Sequence, residues 1–392
     1  MRSDRSLMVN RCVWSGLVTR NLRTLPRYFL KYCIVCGNTV EVQEDAVTPR
    51  TTDDALSRLL DAGAARAAVT AQHARLWAAL ALATEGGKRF RPALVVAAHD
   101  ALGGRRTAAA LEVGAAVELL HTAFVIHDDV IDGDDVRRGR PNVSGTFRAL
   151  ALESGASPED AVDLGRTAGI LAGDLALAAA IRAVATCGAP TAVVGRLLDL
   201  FDAALHTTAA GELADVELSI GTAPSSLGGS LAMAEQKTGA YSFELPLQAG
   251  ALLAGADDST VADLGDAGRS LGIAFQLVDD LLGVFGDPGR TGKSATSDLR
   301  TRKQTPLLVH ARSTPEWGQI LGHVGRELDD RELDEVRDLL VRSGSRHYVE
   351  GLVEAHLAAA RDVLVRLGIP VALLDVVEVH PAAFAAGAEV AA

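Results

Sequence analysis

The stretch from His127 to Gly139, HDDVIDGDDVRRG, carries five aspartates in eight residues: Asp128, Asp129, Asp132, Asp134 and Asp135. An apolar run, Val113 to Ile126, leads into it at helical spacing. On such a helix Asp128 and Asp132 share one face, with Asp129 beside them. Carboxylates so placed repel each other, and a helix C-terminus disfavours anions. Removing one should, if anything, stabilise the empty fold. A hard divalent cation would relieve the repulsion, and Mg2+ favours carboxylate oxygens together with substrate phosphates. Arg137 and Arg138 follow at once, suited to meet an anion.

A second acidic cluster answers the first. Another apolar helix, predicted over 265–285, ends in FQLVDDLLGVFGD, which contains Gln276, Asp279 and Asp280. Lys293 and Lys303 follow it. Only five of the 38 basic residues are lysine: Lys31, Lys88, Lys237, Lys293 and Lys303. Four of these stand in or beside motifs, so lysine is kept here for particular tasks. In GGKRFRP, Gly86 and Gly87 let backbone approach a ligand, and Lys88 and Arg91 can point the same way. His121 lies two turns before Asp128 on the same face. Lys237-Thr238-Gly239 interrupts a helix predicted over 232–251, and a buried lysine there needs an anion.

Two acidic helix ends, each followed by basic residues, suit a diphosphate clamped through Mg2+. Lys88, Arg91 and His121 could hold a second anion without metal. There is no GxxxxGK[ST] loop for nucleotide phosphates, and no Ser-His-Asp or Cys-His arrangement. Thr122, Ala123 and Phe124, just before Asp128, are small or apolar, so a cavity below the metal would be greasy. Diphosphate at the mouth and hydrocarbon inside means a prenyl chain.

The elements that position these groups read as helices throughout, with stretches also over 53–83, 92–102, 168–180, 190–205, 208–218 and within 304–368. No strand-rich region stands out. The expected fold is all-α: a single large antiparallel helical bundle around a central cavity. Residues 1–50, with eight basic against four acidic residues, are expected to be a flexible basic extension. Residues 51–375 form the expected catalytic domain, and 376–392 an Ala-rich tail. Cys33-x-x-Cys36 has half a zinc spacing with nothing to complete it. A net charge of −12 argues against nucleic acid. No apolar stretch reads as reaching membrane length without a charge or breaker, and there is no secretory h-region, so a cytoplasmic location is expected.

Taken in order, the motifs resemble the trans-type isoprenyl diphosphate synthases, or polyprenyl synthetases, over roughly residues 53–368. The carriers are GGKRFRP, LLHTAFVIHDDVIDGDDVRRG, LAGDLAL, KTG, and FQLVDDLLGVFGD with its TGK and DLRTRK continuation. The resemblance implies the isoprenoid-synthase fold, a homodimer, and three Mg2+ ions per site, replaceable by Mn2+. It implies that Asp128, Asp129 and Asp132 form one metal motif and that Asp279 and Asp280 belong to the second. Arg137, Lys237, Lys293 and Lys303 would contact the allylic diphosphate. Gly87, Lys88, Arg91, His121 and Arg138 would bind isopentenyl diphosphate. Thr238 and Gln276 would face the forming cation. Gly283 stands where the second motif would carry its last acid, and Asp287 is expected to substitute in part.

The implied reaction is head-to-tail condensation to an all-trans prenyl diphosphate. Ala123 and Phe124 are expected to floor the cavity and set chain length. Ala123 leaves room, which favours a C20 product, geranylgeranyl diphosphate, over C15 or C25. A class I terpene cyclase has no use for a second diphosphate site, and a non-catalytic partner subunit would be expected to lose acids or lysines.

Overall fold

The computed structural model describes residues 50–222, 226–286 and 297–377. The expected basic extension through Pro49, Lys293, Asp287 and the tail beyond Val377 lie outside the described residues. In chain order the helices are α1 (Thr52–Ala67), α2 (Ala71–Ala83), α3 (Phe90–Ala101) and α4 (Thr107–Asp132). A two-residue hairpin, β1 (Val136–Arg137) with β2 (Arg140–Pro141), precedes α5 (Val143–Glu153), α6 (Pro158–Ala185) and α7 (Thr191–Ser219). Then come α8 (Leu227–Ala234), a π-helical segment (Glu235–Glu244), α9 (Leu245–Ala254) and α10 (Asp258–Phe285). The remaining helices are α11 (Ser297–Arg300), α12 (Pro306–Ala311), α13 (Trp317–Leu321), α14 (Asp330–Arg342) and α15 (Ser345–Arg366), followed by a 3-10 turn at Val371–Val377.

Local signals start these helices where they start. Thr51 caps α1 in a reciprocal capping box with Asp54. Ser157 caps α6 with Pro158 in its first turn, and Asp257 caps α10. The all-α expectation holds. α4 is central: it packs against α6, α3 and α1, and buries Leu119, Leu120 and Ile126 among others. α10 packs against α15, the π-helical segment and α9.

Besides the stretch predicted over 53–83, which is two helices, α1 and α2, three details differ from the sequence expectation. Lys237-Thr238-Gly239 does not break its helix; it sits in the π-helical segment, continuous with α8 and α9. Here the wider coil presses against α10: a Cβ on Gly272 would stand 2.3 Å from the Cα of Gly239. Only glycine at position 272 permits that approach. The helices predicted over 190–205 and 208–218 are one, α7, because nothing between them breaks the pattern. Third, α4 and α6 are in fact long and apolar enough to cross a membrane by length and composition. Within the protein 78% of the apolar window of α4 is buried, as for a core helix, against 44% for α6.

Candidate functional site

α3, α4, α7, the π-helical segment and α10 surround a cavity of roughly 570 Å3. Gly87, Lys88, Arg91, His121, Phe124, Asp128, Arg137, Arg138, Lys237, Thr238, Gln276 and Asp279 all line it. Residues singled out from four separate stretches of sequence thus meet in one place. Phe90, Tyr241, Phe275, Val278 and Leu282 supply its apolar wall.

At the acid side, α4 ends at Asp132 and delivers its aspartates to two cations. Arg137, from the hairpin, donates from Nε to Oδ1 of Asp129 at 2.7 Å and reaches Oδ2 of Asp128 at 3.3 Å. The Nζ of Lys237 lies 3.2 Å from Oδ1 of Asp128, 3.1 Å from Glu212 and 2.7 Å from Asp215. The expected repulsion among the acids is therefore largely answered from within. Burial alone would lower the Lys237 pKa, but Asp128, Asp215 and Glu212 outweigh it and hold the ammonium charged. Burial still lifts the carboxyls of Asp129 and Glu212 despite Arg137 and Lys237. Asp132 is also raised, by partial burial and then by Asp128. The cluster retains a demand for positive charge.

Among the described residues, no three Asp, Glu, His or Cys side chains converge closely enough to hold a metal ion by themselves. The donor set nonetheless fits Mg2+, which binds through one or two carboxylates and takes further oxygens from substrate phosphate. Such an ion would be held jointly by protein and diphosphate.

The second acidic motif divides. Asp279 faces the cavity. Asp280 turns inward and is 3% exposed. It accepts from Nε2 of Gln276 at 2.9 Å and pairs with Nζ of Lys303 at 3.7 Å. Burial pushes its carboxyl up to about 7, against the pull of Lys303 and Gln276. Asp280 and Lys303 line a smaller adjoining pocket with Asp215, Lys237 and Gln276, rather than the main cavity. Thr238 donates to Oε1 of Gln276 at 3.2 Å, so a polar chain runs from the cavity wall to Asp280.

Across the cavity lies the basic group. Gly86 and Gly87 both adopt positive φ and wrap the Arg138 guanidinium, which donates to the Glu85 carbonyl at 2.6 Å. Arg91 bonds Ser242 at 2.9 Å and lies over the Phe90 and Tyr241 rings at 4.4 and 5.3 Å. Nδ1 of His121 is 3.2 Å from the Tyr241 hydroxyl. Burial, then Arg91, Arg138 and Arg137, pushes the His121 pKa well below its ordinary value, so the ring is neutral.

Ala123 does not border the cavity. It is fully buried in the core, whereas Phe124 lines the cavity and packs 4.8 Å from Tyr241. Helix geometry explains the correction: five residues before Asp128 is about 140° round the helix, four residues only about 40°. Sequence reasoning missed Glu212 and Asp215. Their signal was present, two acids three apart on α7 opposite a rare lysine. It also missed Thr208, one turn before Glu212, whose buried hydroxyl lines the cavity with no partner among the described residues.

The sequence family described as polyprenyl synthetase matches residues 75–340. A geranylgeranyl diphosphate synthase of Sulfolobus acidocaldarius is 37% identical over 232 residues, 58% of this chain and 64% of that protein. The chain thus spans slightly less than two thirds of that relative. A geranylgeranyl diphosphate synthase of Mycobacterium tuberculosis is 38% identical over 71% of this chain and 75% of its own length. Among solved structures, geranylgeranyl pyrophosphate synthase from Corynebacterium glutamicum, complexed with isoprenyl diphosphate and magnesium, superposes with a TM-score of 0.75 at 30% identity. That match covers 86% of this chain and 96% of that one.

Proposed function

We propose a prenyl transfer reaction for this chain, which belongs to the polyprenyl synthetase family. It joins isopentenyl diphosphate head-to-tail to an allylic diphosphate and releases an all-trans prenyl diphosphate, most simply the C20 geranylgeranyl diphosphate. One observation carries this reading: two groups able to hold an anion face each other across one cavity with an aromatic and aliphatic wall.

Asp128, Asp129, Asp132 and Asp279 would hold Mg2+, with Asp280 supporting from behind. When bound, the metal supplies positive charge to the diphosphate leaving group. Lys237 and Arg137, which neutralise the acids in the metal-free protein, are placed to turn to the allylic diphosphate instead. Lys88, Arg91 and Arg138 would hold isopentenyl diphosphate, with neutral His121 donating a hydrogen bond. The allylic C–O bond breaks, the isopentenyl double bond attacks the cation, and a proton leaves to the released diphosphate. Thr238 and Gln276 direct oxygen dipoles at the cation, and the apolar wall excludes the water that would quench it. The two relatives named above are both geranylgeranyl diphosphate synthases, which supports the C20 product.

A homodimer built on α6 is part of this proposal, since Leu164, Ile170 and Leu171 there are 44%, 44% and 49% exposed. Light scattering that gives a monomer mass would refute it. For the reaction itself, turnover must vanish in excess chelator and return with Mg2+; full turnover in chelator contradicts it.

A further inference from the structure

Of the three cations in GGKRFRP, Lys88 and Arg91 are assigned above to isopentenyl diphosphate. Arg89 stands between them and also lines the cavity. Its guanidinium is engaged by the protein itself. Nη1 donates to Oε1 of Glu118 on α4, and Nε donates to Oδ1 of Asp53 on α1 at 3.2 Å. Asp53 is exposed, so that bond is worth little. Glu118 is 6% exposed, and a carboxylate so buried depends on its partner. The backbone at Arg89 is left-handed, with φ 54° and ψ 27°, and it enters α3 with no side-chain cap. A residue with a side chain is strained there, and such a conformation persists only where its surroundings enforce it. At the other end of the loop, Arg138 donates to the Glu85 carbonyl. Lys88 thus lies between two anchors, Glu85 and Arg89, and Arg91 follows in the first turn of α3. By charge alone Glu118 is out of place. It lines the same cavity as Lys88, Arg91 and Arg138, one turn before His121, where a carboxylate should repel a diphosphate.

We infer that Glu118 is a positioning residue for isopentenyl diphosphate: by gripping Arg89 it fixes the strained turn that presents Lys88 and Arg91 to the cavity. Arg89 is then the strap of the loop and not a ligand of the diphosphate. The inference rests on the proposed function, which places isopentenyl diphosphate against Lys88 and Arg91.

The test is steady-state kinetics of the full chain with Mg2+, varying isopentenyl diphosphate and dimethylallyl diphosphate in turn, beside melting temperatures. If Glu118 were only a neighbouring negative charge, Glu118→Met would tighten the binding of a diphosphate. As a positioning residue, its loss should instead raise the KM for isopentenyl diphosphate about tenfold or more, because small displacements of binding groups are costly. The kcat and the KM for dimethylallyl diphosphate should stay near wild type. Arg89→Met combined with Glu118→Met leaves neither charge of the pair without its partner. It should therefore melt near wild type and still keep the raised KM for isopentenyl diphosphate. An unchanged or lower KM for isopentenyl diphosphate in Glu118→Met overturns the inference, as does a double variant whose KM returns to wild type. A double variant in which kcat and both KM values worsen in step with a lost melting temperature assigns the pair to general structure and also overturns it. If wild type consumes no isopentenyl diphosphate, the proposed function fails first, and the two failures are thereby told apart.

Discussion

The Nζ of Lys237 stands 3.2 Å from Oδ1 of Asp128, inside a ring of acids that Asp215 and Glu212 complete. A side-chain cation thus occupies space among the carboxylates proposed to hold metal. Lys237→Met should lower the metal-free melting temperature, because it leaves partly buried carboxylates without a partner, at a cost of order ~3 kcal/mol. The same variant should gain more melting temperature from Mg2+ alone than wild type does. An equal response to Mg2+ in both proteins would show that Lys237 does not stand in for a metal.

Asp128→Asn should reduce turnover by orders of magnitude with the helical circular dichroism spectrum unchanged. Its metal-free melting temperature should not rise, contrary to what repulsion among the aspartates alone predicts, because Lys237 and Arg137 already compensate this carboxylate. A rise of several degrees would mean that the ion pairs contribute less than the repulsion.

Phe124 and Ala123 should behave differently. Phe124→Ala enlarges the cavity beside Tyr241 and should shift products to longer chains, read by chromatography of the dephosphorylated alcohols. Ala123→Phe inserts a ring into the core, where overpacking costs roughly 1–3 kcal/mol, so it should appear as lost melting temperature. Shortened products from a fully stable Ala123→Phe would place that residue against the substrate after all.

His121 should stay neutral well below its ordinary pKa of 6.5. The unfolded chain takes up its proton first as pH falls, so His121 costs stability below about pH 6.5 and nothing above it. His121→Gln should therefore flatten the decline of melting temperature as pH falls through about 6.5, where the wild-type ring, followed by NMR, is still neutral. A ring that titrates near its ordinary value would contradict the burial and the arginine field around it.

Much of the site was legible because its chemistry lies in local runs. The helix to Asp132, the GGKRFRP loop and the helix through Asp279 are each written in contiguous sequence, and the cavity brings them together. What stayed hidden depends on tertiary register. Asp280 follows Asp279 by one residue, yet about 100° of helical rotation turns it to a different pocket. Lys237-Thr238-Gly239 looks like a helix break, but it lies within a continuous helix whose close approach to α10 is set by Gly272. Glu212 and Asp215 pair with a lysine 25 and 22 residues away, so their role follows only once α7 faces the π-helical segment.

The most direct measurement is product analysis of the full chain with labelled isopentenyl diphosphate, dimethylallyl diphosphate and Mg2+. Isopentenyl diphosphate should be consumed, and the dephosphorylated product should be a linear all-trans prenol, chiefly C20. Untouched isopentenyl diphosphate, with the allylic substrate converted to cyclic hydrocarbon or left intact, would contradict prenyl transfer at this site.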